Sequence, residues 1–457
     1  MAKLDHILQK AMRKLLEEKK INALRDILVT MSAPDLAALF EELGKEELPV
    51  YFRLLPKELA AEAFVEMDSE QQEHLIETFS DQELSEILNE IFADDAADLV
   101  EEMPANVVNR ILSQSDPRLR RDINRLLKYP ENSAGSIMTT EYVDLTPQMT
   151  VDMAIAHIRA VGVDRETIYA CYVTDEKKLV GIVSFRSILL APSKSTLIGD
   201  IMDAHVISAL TTTDQEEVAH MMSKYNFLAL PIVDSEGRMV GIVTFDDAMD
   251  VMEEEVTEDM EIMGGMSPSV KTYLKSSPFD LFRHRIGWLL FLMVSATFTG
   301  IIISSFEEAL AAQLALVAFI PMLMDTGGNS GSQSSVTIIR ALSLHEVKTS
   351  DLPKILWKEF CTALLAGSAL AMVCFAKIMI VDRLILQNPL VTPMVAFVVC
   401  LTMVFTVVVA KLIGSLLPIA AVKMGFDPAV MSSPLLTTIV DALALIIYFG
   451  FATAILL

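Results

Sequence analysis

At 457 residues the chain is too long for one ordinary domain of ~100–200 residues. Its ten acidic and ten basic residues from Ser276 onward cancel, so the whole net charge of −25 lies in the first 275 positions. A front half this acidic excludes nucleic acid as a partner, and it either attracts cations or simply keeps a large domain in solution.

The N-terminal stretch MAKLDHILQKAMRKLLEEKK carries charges throughout and no apolar core, so it is not read as a secretory leader. Residues 1–130 show helical periodicity with repeated Leu spacing and turn markers at Leu55-Pro56 and Met103-Pro104, which predicts short helices stacked in a superhelix. Within them, FADDAADLVEEM places Asp94, Asp95 and Asp98 together, with Asp94 and Asp98 one turn apart.

Two stretches then repeat one another. SIMTTEYVDLTPQMTVDMAIAHIRA with YACYVTDEKKLVGIVSFRSIL answers DIMDAHVISALTTTDQEEVAHMMSK with LALPIVDSEGRMVGIVTFDDAM, so that Met138 matches Met202 and Gly181 matches Gly241. Each unit reads as strand, helix, strand, strand, helix, the last two strands forming a hairpin. This resembles a tandem pair of CBS domains, over 131–198 and 199–245. Some such pairs hold an adenine nucleotide, which would place Thr244 or Asp246 at a nucleotide site.

The connection over 246–275 opens with Asp246, Asp247, Asp250, Glu253, Glu254, Glu255, Glu258 and Asp259, eight acids in 14 residues. Met249, Val251, Met252, Val256 and Met260 interrupt them and make the helix amphipathic. Such a run is either a solvated helix face or, as the link to the apolar half of the chain, a cation-dependent latch.

Residues 276–457 read as a polytopic helical membrane domain. Crossing ~30 Å of hydrocarbon takes ~20 apolar residues, and five segments qualify. They are Ile286–Phe306, Leu314–Leu342, Ile355–Val381, Pro393–Val422 and Pro428–Leu457. Basic residues near the first span, between the second and third, and near Lys411 and Lys423 fall on one side, which predicts cytoplasmic N-terminal domains and an outer C-terminus. In the second segment Asp325, Asn329 and Gln333 are spaced to line one helix face. Gly327, Gly328 and Gly331 there serve close packing or let carbonyls face a pore. The last segment carries Asp441 with Thr437 and Thr438 one turn before it, and a carboxylate so placed serves a salt bridge, a proton relay or an ion site. The Gly-rich run lacks the Lys of a P-loop, the seven His hold no HExxH, and nothing points to an enzyme. Cys171, Cys361, Cys374 and Cys400 have no paired spacing and are expected as free thiols.

Taken together the chain resembles the MgtE family of magnesium channels. The resemblance rests on YPENSAGSIMT (Tyr129–Thr139), TEDMEIMGG leading into RHRIGWLL, PMLMDTGGNSGSQ (Pro321–Gln333) and DPAVMSSPLLTTIVD (Asp427–Asp441). It implies Mg²⁺ entry through a homodimeric pore in the cell membrane, with the lipid bilayer around it. It puts Asp441, Asn329, Gly327 and Gly328 on the ion path, with Asp325 and Thr437 beside them. It implies regulatory Mg²⁺ at Asp94, Asp98, Asp246, Asp247, Asp250, Glu254, Glu255, Glu258, Asp259 and Asp427. The rival expectations are a proton-coupled divalent-cation carrier and a CBS-based membrane sensor without conduction.

Overall fold

A computed structural model describes residues 11–269, 273–431 and 433–456. The first ten residues of the N-terminal stretch, expected not to form a leader, lie outside them, as does Leu457, the C-terminus expected on the outer side. The chain divides into two compact units, Met1–Glu253 and Glu254–Leu457.

The first unit opens with short helices. Ala33–Glu41, Lys57–Val65, Asp81–Leu88 and Ala105–Gln114 stack in succession, each on the next but one in sequence, as the superhelical reading expects. Turn chemistry cuts them short. Asp68 accepts from the backbone of Gln71 to cap one helix, and Ser80 with Glu83 forms a capping box on the next. A run of rings joins the stack: Phe40 to Phe52, Phe52 to Phe64 and Phe52 to Phe79 have centroids 6.4, 6.3 and 5.4 Å apart.

The repeat comes next as two three-stranded sheets, ordered β1-β2-β3 and β4-β5-β6. Strands β1 (Asp144–Leu145), β2 (Ala170–Asp175) and β3 (Lys178–Ser184) correspond to β4 (Ala209–Leu210), β5 (Ala229–Val233) and β6 (Met239–Thr244). In each the first pair is parallel, across a helix, and the second is an antiparallel hairpin. The matched residues pack reciprocally. A Cβ on Gly181 would meet the Met202 sulfur at 2.5 Å, and one on Gly241 would meet the Met138 sulfur at 2.7 Å. Ile182 bridges to Asp203 in the same way as Ile242 bridges to Thr139. After β6 the chain enters the helix Phe245–Met263, which runs across the division between the units.

In the second unit, Pro278–Ser305, Thr349–Ile385, Pro393–Met424 and Pro428–Leu456 are long and apolar enough to cross a membrane. Ile320–Ser343 is long enough as well, but a row of polar and small residues lowers its hydropathy; it makes the fifth helix of the expected set. The first span starts earlier than its apolar run, at a Ser277–Asp280 capping box, so Arg283 and Arg285 sit in its opening turns. The second starts later, after a tight turn over Leu314–Phe319, because Pro321 favours a helix start. The fourth span is the hub, packing on the second, third and fifth, and more than half of its apolar stretch is buried. The first span, by contrast, buries nothing, although it is strongly apolar. An apolar helix that packs on the last span yet buries no residue fully is one that lipid or another chain covers.

Lys411, inside the expected fourth span and near the loop after it by spacing, lies within the helix Pro393–Met424 and is buried there at 6% exposure.

Candidate functional site

The second span has two faces because its polar residues recur every fourth position while its smallest residues fill the gaps. Asp325, Asn329 and Gln333 are exposed along one face. Gly327, Gly328, Gly331, Ser334 and Ser335 are buried on the other. There the absent side chains permit close approach. A Cβ on Gly327 would lie 2.7 Å from the Thr406 methyl and 3.0 Å from Val440, and one on Gly328 would lie 3.1 Å from the Thr437 methyl. The helix is unbroken through these positions, and Gly327 and Gly328 form a packing seam within it.

Asp441 on the last span is half-buried, and Asp325 is the charged group that faces it. The Thr437 and Thr438 hydroxyls both donate to the Pro434 carbonyl, at 3.0 and 3.1 Å, and so are satisfied within their own helix. The unit thus gathers two carboxylates, a carboxamide pair and no adjoining cation among the described residues along one face.

The buried Lys411 is accounted for elsewhere. Its Nζ donates to Ser334 Oγ at 3.1 Å and lies 3.9 Å from Glu359, while Ser334 donates to Glu359 at 2.6 Å. This triad ties the second, third and fourth spans together behind the polar face. Sequence reasoning did not single it out; the available signal was an acid and a base, each inside an apolar run.

The acidic connecting helix contributes to both units. In the second, Glu258 is half-buried and its carboxyl is pushed up by burial and by Glu255, Asp427 and Glu261. Asp427 itself accepts from the Ala429 backbone at 2.7 Å and holds the turn before the last span. Beyond the helix, Gly265 adopts a φ of 71° against Pro434, and the Ser267 N–H donates to the His284 carbonyl. The link is therefore seated on the opening turns of the first and last spans. Glu254 is exposed, while Glu255 and Asp259 are half-buried.

In the first unit, Asp94, Asp95 and Asp98 share one acidic field with Asp246, Asp247 and Asp250 at the start of that helix. Asp94 is buried at 8% exposure with one carboxylate oxygen unpartnered, and burial followed by Asp95, Asp247 and Glu166 pushes its carboxyl well up. Burial, then Asp247 and Asp246, raises Asp95 to about 7. Asp98 is open to solvent on one side, yet the protein packed around it and Asp95 raise it to about 7. Asp247 and Asp250 are raised for the same reasons, although Asp247 accepts hydrogen bonds from the Thr244 hydroxyl and N–H. That engagement occupies the Thr244 hydroxyl.

Sequence reasoning missed Glu66, Glu141 and Glu166, which enter the same field from distant positions. Glu166 is raised to about 8 by burial, Asp247 and Asp95, and Glu66 is raised by burial, Asp250 and Asp246. Among the described residues no three His, Cys, Asp or Glu side chains close into a single metal-ligand group. The acids form a repulsive field that cations would relieve, and not a ready-made cage.

Comparison with known proteins falls along the same division. Residues 31–132 match the MgtE intracellular N domain, 134–194 and 198–254 match CBS domains, and 320–451 match the MgtE divalent cation transporter family. The chain is 37% identical to the magnesium transporter MgtE of Thermus thermophilus over 98% of both chains. It is 33% identical to that of Bacillus subtilis over 96% of this chain and 95% of the relative. The cytosolic domain of the Mg²⁺ channel MgtE, solved in complex with ATP, superposes with a TM-score of 0.51 at 40% identity, over 53% of this chain and 99% of that structure. The soluble part of a magnesium transporter gives the same TM-score at 28% identity, over 55% of this chain and 99% of that structure. With an intracellular N domain, a CBS pair and a multi-pass helical domain in that order, the chain belongs to the MgtE family of divalent cation transporters.

Proposed function

We propose that this protein is a homodimeric Mg²⁺ channel of the cell membrane, with cytosolic N-terminal domains, an outer C-terminus and a pore that closes when internal Mg²⁺ is high. The observation that carries the reading is the exposed row Asp325, Asn329 and Gln333 on a membrane helix, with Asp325 at the end of the row near Asp441. Lipid does not cover such a face at acceptable cost, whereas a second copy and water between the two do. Mg²⁺ holds its waters tightly and takes oxygen ligands in near-octahedral geometry, so the row grips a hydrated ion and does not strip it. A twofold axis brings two Asp441 carboxylates to one dication.

Closure uses the acidic field. Mg²⁺ bound among Asp94, Asp98, Asp246, Asp247 and Asp250 relieves repulsion within the N-terminal unit. Mg²⁺ near Glu254, Glu255, Glu258, Asp259 and Asp427 lets the connecting helix stay seated on the spans. The ion shifts the equilibrium because it binds the packed, closed form better. The likeness to a domain solved with ATP supports an adenine nucleotide at the CBS pair.

The test is Mg²⁺ flux into liposomes holding the purified protein. Asp441→Ala is expected to abolish flux while the dimer still assembles on size-exclusion chromatography. Flux at the native rate removes Asp441 from the pathway and overturns the reading.

A further inference from the structure

The second span meets its neighbours along a face almost without side chains. Gly327 and Gly328 lie against Thr406 and Thr437, and a Cβ on Gly331 would stand 3.1 Å from the Ala410 carbonyl. Such a seam brings helices close, but a surface this smooth has few ridges to set how far one helix turns about its axis. Directional bonds supply that register, and they follow directly after the seam. Ser334 Oγ accepts from Lys411 Nζ at 3.1 Å and donates to Glu359 at 2.6 Å, so the hydroxyl is engaged as acceptor and as donor. Ser335 Oγ donates to the Met431 carbonyl at 3.1 Å, in the turn before the last span. Adjacent residues point about 100° apart on a helix, so the two hydroxyls pin the second span in different directions. Both serines are buried, at 2% and 0% exposure.

Gln333 is next to Ser334 in the chain, and Asn329 lies one turn earlier on the same exposed face. Side-chain tips stand about 5–6 Å from a helix axis, so a turn of about 20° carries them roughly 2 Å. That exceeds the tolerance of the hydrogen bonds by which an amide grips a hydrated ion. Apolar residues of similar volume hold helices together as well as a buried ion pair does. What Lys411 and Glu359 add to such packing is a single orientation for the hydroxyl between them.

We propose, given the polar row as the ion path, that Ser334 is a positioning residue for conduction. Lys411 and Glu359 hold its hydroxyl, and the hydroxyl sets the rotation of the second span and so the alignment of Asn329 and Gln333 with the passing ion.

The experiment measures Mg²⁺ and Ca²⁺ flux separately in liposomes holding the full chain and takes their ratio. Fewer folded channels lower both fluxes and leave the ratio unchanged. A displaced row lowers it, because Mg²⁺ demands near-octahedral geometry and Ca²⁺ accepts irregular geometry. Ser334→Ala removes one hydroxyl and leaves Lys411 and Glu359 to pair directly, so the fold persists. It is expected to lower the Mg²⁺-to-Ca²⁺ ratio by up to about tenfold, the shift that loss of one charge-assisted hydrogen bond produces. Glu359→Lys/Lys411→Glu runs the same chain of bonds in the opposite direction and should return the ratio toward the native value. Each single exchange sets like charges together and should not. Asn329→Ala tests the row itself and should also lower the ratio. With Asn329→Ala altered, a native ratio in Ser334→Ala, or no return in the folded exchange variant, overturns the positioning role alone. A native ratio in Asn329→Ala removes the row from the ion path, and the positioning role falls with it.

Discussion

A charged side chain inside a membrane domain has to be matched, and Lys411 shows how closely. Its ammonium has Ser334 at 3.1 Å and Glu359 at 3.9 Å, and both it and Glu359 are nearly closed to solvent. Breaking a buried pair costs about 3–5 kcal/mol because it strands one charge, whereas replacing both partners with neutral groups of similar volume is often harmless. Lys411→Met is therefore expected to lower the unfolding midpoint in detergent sharply. Lys411→Met/Glu359→Gln should recover most of the loss, and equal losses in the two variants would remove the ion pair as the cause. Asp94 presents the opposite case in the N-terminal unit, with an oxygen left without a partner and acids for neighbours. One carboxylate is matched where it stands, and the other is held in a form that a proton or a cation must complete.

At the scale of elements, the second span does two tasks with two faces. Thr406 is where the tolerance of its packing face is narrowest, the Gly327 position lying 2.7 Å from the Thr406 methyl. Gly327→Ala should lower thermostability in detergent by the equivalent of about 1–3 kcal/mol, as overpacking does. Thr406→Ser removes that methyl and should restore part of the loss; no restoration would place the clash at Val440 instead. The polar face was legible from spacing alone, since residues four apart must align on a helix. The strand–helix–strand order of the repeat was legible for a similar reason, because apolar alternation and turn residues act locally. What stayed hidden depends on tertiary approach. Glu166 and Glu66 join the acidic field although neither lies in an acidic run, and nothing near Lys411 in sequence names Glu359. The apolar run of the first span also concealed its start, because Ser277 and Asp280 cap a helix whose opening turns are charged.

The N-terminal unit as a whole stores electrostatic repulsion. Burial and mutual repulsion raise Asp95 and Asp98 to about 7 and Glu166 to about 8. Acids raised in the folded state favour folding fully below their unfolded values near pH 4, and this contribution is lost as pH rises through 7 and 8. Without Mg²⁺, the thermal midpoint of the full protein should fall between about pH 5 and about pH 8.5, and millimolar Mg²⁺ should flatten the decline by taking the place of protons. A Mg²⁺-free midpoint that stays level over that range would show that the field does not govern stability. The CBS pair gives this unit a further property through the contacts of Met138 with Gly241 and of Met202 with Gly181. Each methionine lies in one repeat and fills the gap left by a glycine in the other, so the unit of inheritance is half the size of the unit of folding. The two repeats are halves that complete each other. Severing the chain between them would leave two sequences, each lacking the side chain that fills its own sheet.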